Sequence, residues 1–147
     1  MKIKQLAACQ SENEIQTKAF ASEVVHFFSE GDTVLLYGNL GSGKTFLVKQ
    51  FAKALGVKNE VTSPTFSIIN QYAGPVLINH IDLYRITDSR ELINLGLEEI
   101  WEMKSINFVE WPQIIENHLH GNHYRITITV DQNNLLHRTF SLDRLCI

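Results

Sequence analysis

Apolar residues cluster along this chain in short dense runs separated by turns and by stretches of helical spacing. Thr33-Val34-Leu35-Leu36-Tyr37 is a continuous apolar run, the pattern of a central strand covered on both faces. Val76-Leu77-Ile78-Asn79-His80-Ile81-Asp82 and Ile106-Asn107-Phe108-Val109-Glu110 repeat that pattern, and each ends on a carboxylate. Phe66 to Tyr72 reads as another strand, followed by a turn at Ala73-Gly74-Pro75. Ile3 to Ala8 makes a short first strand. Tyr124 to Val130 and Leu135 to Leu142 alternate apolar and polar residues; with Asp131-Gln132-Asn133-Asn134 between them they predict an antiparallel hairpin.

Helices fill the gaps. Ser11 and Glu14 have capping-box spacing and predict a helix that turns Ile15, Ala19, Val24, Phe27 and Phe28 to the core and stops near Gly31. A second helix runs from Lys44 to about Leu55 and is closed by Gly56. Asp88 and Glu91 start a helical stretch that reaches about Trp101 and breaks near Gly96. Pro112 suits the first turn of a short helix ending near Leu119. Strands alternating with helices predict an α/β fold with a mostly parallel sheet, which the hairpin extends or flanks. There is no repeat, low-complexity tract or linker, so one domain over residues 1–147 is expected.

Composition changes this picture little. Hydrophobic residues make up 44% and charged residues 20%, close to the globular average. A net charge of −3 gives no basic face for a nucleic-acid duplex, so a role on RNA would need a partner's charge. Cys9 and Cys146 are far apart and form no Cys-x-x-Cys, which reads as two free thiols in a reducing compartment. The first residues lack a signal peptide's apolar segment and no run reaches membrane-spanning length. A soluble cytoplasmic protein is expected.

The chemistry begins at Gly38-Asn39-Leu40-Gly41-Ser42-Gly43-Lys44-Thr45, which fits G-x-x-x-x-G-K-[ST] at every fixed position. Glycines let backbone N–H groups curl around phosphate oxygens. The helix that starts at Lys44 aims its unpaired amides at the same anions. Lys44 adds a full charge at the β and γ phosphates, and the Thr45 hydroxyl suits Mg²⁺. ATP with Mg²⁺ is the expected ligand, on a P-loop NTPase-like three-layer sandwich. Asp82 and Glu110 end their strands where open α/β sheets bind ligands. A P-loop ATPase needs a carboxylate near the metal and a group to position water; the spacing does not say which acid does which. Glu110 could instead stabilise the helix after Pro112. The spacing of His118, His120 and His123 matches no common zinc pattern.

Four motifs in order extend the pattern: Leu40-Gly41-Ser42-Gly43-Lys44-Thr45, Ser63-Pro64-Thr65-Phe66, His80-Ile81-Asp82-Leu83-Tyr84-Arg85 and Val109-Glu110-Trp111-Pro112. On these the chain resembles the TsaE (YjeE) family, the ATPase component of bacterial tRNA threonylcarbamoyladenosine synthesis. Asn39 stands where that family commonly has Asp, and Ser42 where it commonly has Ala; both are variable positions of the loop. The resemblance implies nucleotide binding along Gly38 to Phe46, with Lys44, Asp82 and Glu110 as the catalytic set. Thr45 and Glu110 would be the Mg²⁺ ligands and Asp82 would lie at the γ-phosphate. Ser11, Gln113 and Arg138 would approach the nucleotide. Thr62-Ser63-Pro64-Thr65 would form a switch-type loop, Trp111 would sit at the mouth of the site, and Tyr84 and Arg85 would join them as switch or partner residues. The implied partners are TsaD and TsaB, with tRNA reached through them and no membrane involved; ATP hydrolysis would reset that complex.

On the residues alone, Ser63-Pro64 is equally a turn, Tyr84-Arg85 surface packing, Trp111 core filler and Ser11 a helix cap. Two rival functions are a P-loop small-molecule kinase and a nucleotide-gated binding module that needs no hydrolysis. The stretch from Arg85 to Trp101 is short and acidic, unlike an arginine-bearing kinase lid. No Asn-Lys-x-Asp motif for guanine is present. The chain's five arginines, Arg85, Arg90, Arg125, Arg138 and Arg144, all lie outside the phosphate loop, which predicts slow intrinsic hydrolysis if none reaches the γ-phosphate.

Overall fold

The computed structural model describes residues 1–64, 67–119 and 121–146. Thr65 of the expected switch segment, Phe66 at the start of an expected strand, and His120 lie outside the described residues. Seven strands form one sheet: β1 (Lys2–Ser11), β2 (Thr33–Tyr37), β3 (Ile69–Tyr72), β4 (Leu77–Asp82), β5 (Ser105–Glu110), β6 (His123–Val130) and β7 (Arg138–Cys146). Their order is β1-β7-β6-β2-β5-β4-β3. The four central strands β6, β2, β5 and β4 run parallel, while β3, β7 and β1 pair antiparallel at the flanks. Helices α1 (Glu14–Val24) and α2 (Lys44–Ala54) cover one face. α3 (Leu97–Trp101) and the tight turns around it cover the other. The result is the three-layer α/β architecture the pattern predicts.

The continuous apolar runs divide between these layers by the period of two along a strand. In β2, Val34 and Leu36 join the α1–α2 core, while Leu35 joins the α3 core. Phe51 of α2 stacks on Phe108 of β5 with ring centroids 5.2 Å apart, and Phe28 meets both rings edge-on. Burying each such ring contributes about 3 kcal/mol.

Several expectations are corrected. The first strand is longer than expected, reaching Ser11. Ser11 therefore closes β1 and is not the cap of α1. Asn13 is the cap: its Oδ1 accepts from Gln16 N at 2.9 Å, and Gln16 Oε1 accepts from Glu12 N at 2.8 Å. That shift rotates the helix, so Thr17, Phe20, Ala21 and Val24 make the buried stripe. Ile15 is 77% exposed, and Ala19 and Phe27 also face solvent; Val24 and Phe28 are buried as expected. α1 ends before Gly31, whose positive φ instead serves the turn into β2. Of the two positions expected for the β6–β7 hairpin, the structure shows the first: it extends the sheet, standing between β2 and β1 with β6 parallel to β2. β7 begins at Arg138, leaving Leu135 and Leu136 exposed in the hairpin loop. The stretch Ser89–Leu95 after Asp88 is a 3₁₀ coil before Gly96, and the segment after Pro112 forms two 3₁₀ turns.

Candidate functional site

The site is built where β2, β4 and β5 end. β2 delivers the chain to Gly38, and α2 starts at Lys44, so the glycine loop joins a buried strand directly to a helix N-terminus. Two glycines are required by this path. A Cβ on Gly38 would come 2.4 Å from Ser42 Oγ, and Gly43 has φ 100°, which side chains rarely adopt. The loop is tied internally by Ser42 N donating to Asn39 O at 3.0 Å. Arg138 ties it to the hairpin: its Nε donates to Ser42 O at 2.8 Å and its Nη1 to Leu135 O at 3.2 Å.

Lys44 is 5% exposed. Its ammonium donates to Gly38 O at 2.6 Å and Asn39 O at 3.2 Å, and lies 4.1 Å from the centre of a Trp111 ring, a cation–π contact. Burial pushes its pKa below the ordinary lysine value, and Glu110 and Asp82 pull it partly back. One residue on, the Thr45 hydroxyl lies 2.9 and 3.1 Å from the two carboxylate oxygens of Glu110.

Asp82 and Glu110 pair directly across β4 and β5, and both are nearly buried. Like charges so placed repel, and each acid is drawn to different donors. Asp82 Oδ1 accepts from Tyr84 N at 2.9 Å. Glu110 Oε2 meets Thr45 and His80 Nε2, the latter at 2.5 Å. After Glu110 the chain turns sharply, and Trp111 takes φ 55°, a costly conformation for a bulky residue. Its ring rests against Tyr84, centroids 5.0 Å apart. Together these groups enclose a cleft of about 330 Å³ that Lys44, Thr45, Phe46, Ser63, Asp82 and Glu110 help to line.

The other expected residues lie around this cleft. Leu40, Gly41, Gly43, Tyr84 and Trp111 also line it. Gln113 faces a neighbouring hollow, which Gly38, Asn39 and Ser42 also line and which shares Trp111 with the cleft. Ser11 and Arg138 face a third hollow; the Ser11 hydroxyl bonds Asn13 O and Thr17 Oγ1, both at 2.8 Å. Thr62 is turned to Tyr72 in a hollow on the β3 side, Pro64 is buried, and Arg85 is exposed beside Tyr84. His80, given no role of its own in the sequence reading, is the residue brought unexpectedly into the cluster. Its signal was position: two residues before Asp82, it shares that strand face.

A glycine loop feeding a helix N-terminus, with one lysine, is an anion cradle. A hydroxyl and one or two carboxylates beside such a cradle fit Mg²⁺, which keeps waters and phosphate oxygens as its other ligands. Among the described residues no helix is long and apolar enough to cross a membrane.

The family model described as threonylcarbamoyl adenosine biosynthesis protein TsaE matches residues 11–140. A Bacillus subtilis protein named tRNA threonylcarbamoyladenosine biosynthesis protein TsaE is 41% identical over 117 residues, 79% of this chain and 73% of the relative. The Treponema pallidum protein of the same name is 31% identical over 122 residues, covering 83% and 89%. Among solved structures, Bacillus subtilis YdiB superposes with a TM-score of 0.80 at 32% identity, covering 97% of this chain and 87% of that one.

Proposed function

We propose that this chain, which belongs to the TsaE family of tRNA threonylcarbamoyladenosine biosynthesis proteins, binds ATP with Mg²⁺ in the Lys44–Glu110 cleft and hydrolyses it as a nucleotide switch on TsaD and TsaB. The observation that carries this reading is the contact between Thr45 and Glu110 beside the Lys44 ammonium. It places a hydroxyl, a carboxylate and a buried cation at the mouth of one anion cradle.

Each residue's part follows from its surroundings. The loop amides and Lys44 hold the phosphates, which give the ammonium charged acceptors in place of two carbonyls. Thr45 and Glu110 would hold Mg²⁺, which when bound offsets phosphate charge. Asp82, kept in place by Tyr84 N, is the second acid and orients the attacking water. Trp111 and Tyr84 cover the cleft and limit bulk water around the phosphates.

Among the described residues no arginine lines the cleft, and Arg138 is committed to the loop backbone. In phosphoryl transfer such a group is worth about 10³–10⁵ in rate. Hydrolysis by the isolated chain is therefore slow, and the TsaD–TsaB complex, working in the cytoplasm, raises it. The test is ATP turnover by the purified chain with and without TsaD–TsaB. Low activity that the partners raise and Asp82→Ala removes supports the switch. Turnover unchanged by partners, or phosphate passed to an added metabolite, overturns it in favour of a binding module or a kinase.

A further inference from the structure

His80 is fully buried, and among the described residues its one ring hydrogen bond is Nε2 to Glu110 Oε2 at 2.5 Å. A carboxylate oxygen accepts, so Nε2 is the donor of this bond. Its other nitrogen, Nδ1, is buried with no partner among the described residues. A histidine kept only for core packing has both nitrogens satisfied by its surroundings. Here the sole donated bond goes to an acid of the cleft. The strand register adds a second argument. Glu110 stands opposite Asp82, while His80 stands opposite Phe108, one pleat further back on the same face. With only Thr45 as donor, Glu110 would be free to swing between Thr45 and the open cleft beside Asp82. The His80 donor pulls the carboxylate backward, away from Asp82 and onto Thr45.

We propose that His80 is a positioning residue: it fixes the Glu110 carboxylate against Thr45 and so sets how tightly the nucleotide-loaded site takes Mg²⁺. This rests on the reading of the cleft as an ATP–Mg²⁺ site and assigns a residue which that reading leaves without a role. Partners that orient a metal ligand are typically worth 10–100-fold in metal affinity. Among the described residues His80 makes no hydrogen bond to the glycine loop or Lys44, so it acts on the metal's share of binding and not on the phosphates'.

The experiment measures ATP affinity calorimetrically in Mg²⁺ and in EDTA for the wild-type chain, His80→Leu and His80→Gln. Glutamine places its amide nitrogen where Nε2 stood; leucine places nothing. The expected result is that His80→Leu loses about tenfold of the Mg²⁺-dependent gain while its affinity in EDTA stays within about twofold of wild type. His80→Gln keeps most of the gain. If His80→Leu retains the full gain, or loses affinity equally with and without metal, the proposal is overturned. Should the leucine variant not fold, His80→Asn replaces it, because its shorter amide does not reach the Nε2 position; equal gains in Asn and Gln variants overturn the proposal. A wild-type chain that shows no Mg²⁺-dependent binding overturns the proposed function itself, and this inference with it.

Discussion

Strands β4 and β5 bury polar residues at both of their ends, and the two ends are built differently. At the entry end, Asn79 pairs across to Asn107; its Nδ2 donates to Ser105 Oγ at 3.0 Å and Asn107 Oδ1 at 2.8 Å. Asn107 Nδ2 reaches on to Thr33 Oγ1 at 3.4 Å, so three parallel strands share one neutral network. At the exit end, three residues on along each strand, Asp82 and Glu110 are acidic and border the cleft, with His80 buried behind Glu110. Neutral groups that hydrogen-bond one another across strands fix register at little electrostatic cost. Opposed carboxylates cost stability unless something else shares the site. The same pair of strands thus carries a neutral cross-strand network at one end and the two acids of the cleft at the other.

Substitutions at the two ends should separate function from stability. The largest effect is expected for Glu110→Gln, which keeps an acceptor for His80 but loses the charge. Partner-stimulated hydrolysis should fall about 100-fold or more, with an unfolding midpoint in urea equal to or above wild type, because a buried charge has been removed. A comparable loss of stability and activity together would show that the exit end is structural. At the entry end the reverse is expected. Asn107→Ala leaves Asn79 Nδ2 with one partner fewer and should cost about 1–3 kcal/mol in urea unfolding, while ATP affinity in Mg²⁺ stays at the wild-type value.

A smaller effect sharpens the account of Lys44. Its ammonium rests over Trp111 here, and bound phosphate would draw it away. ATP should therefore change the tryptophan emission of the wild-type chain, and the change should vanish in Trp111→Phe, since the other tryptophan, Trp101, lies outside the cleft. The smallest effect is one of pH. The folded-state pKa of Lys44 is lowered from its ordinary 10.5, chiefly by burial. Between that lowered value and 10.5 the unfolded chain holds more protons than the folded one, so stability contributed at this residue rises with pH across the window. Unfolding measured over that alkaline range should show the rise in wild type and lose it in Lys44→Met.

The comparison also explains what the sequence could reveal. The glycine loop was legible because its chemistry lies within eight consecutive residues between one strand and one helix, and β2 and α2 fall where expected. Asp82 and Glu110 were legible as strand ends, but not as direct neighbours. That depends on the β4–β5 register, which no local pattern states. His80 was hidden for the same reason, since a histidine in an apolar strand has no meaning until its cross-strand neighbour is known. The face of α1 was misjudged because a polar residue, Thr17, belongs to the buried stripe through its bond with Ser11, while Ile15 does not. The hairpin's position was open because alternation along β6 and β7 is the same at the edge of a sheet as one strand in from it.

The most direct test of the central claim is equilibrium binding of ATP, in Mg²⁺, to the wild-type chain beside Lys44→Ala. The account predicts saturable one-to-one binding to the wild type and a loss of about 100-fold or more in the variant, in line with removing a buried charge that pairs with phosphate, with the variant still folded. Equal binding by both chains, or none by the wild type, would contradict it.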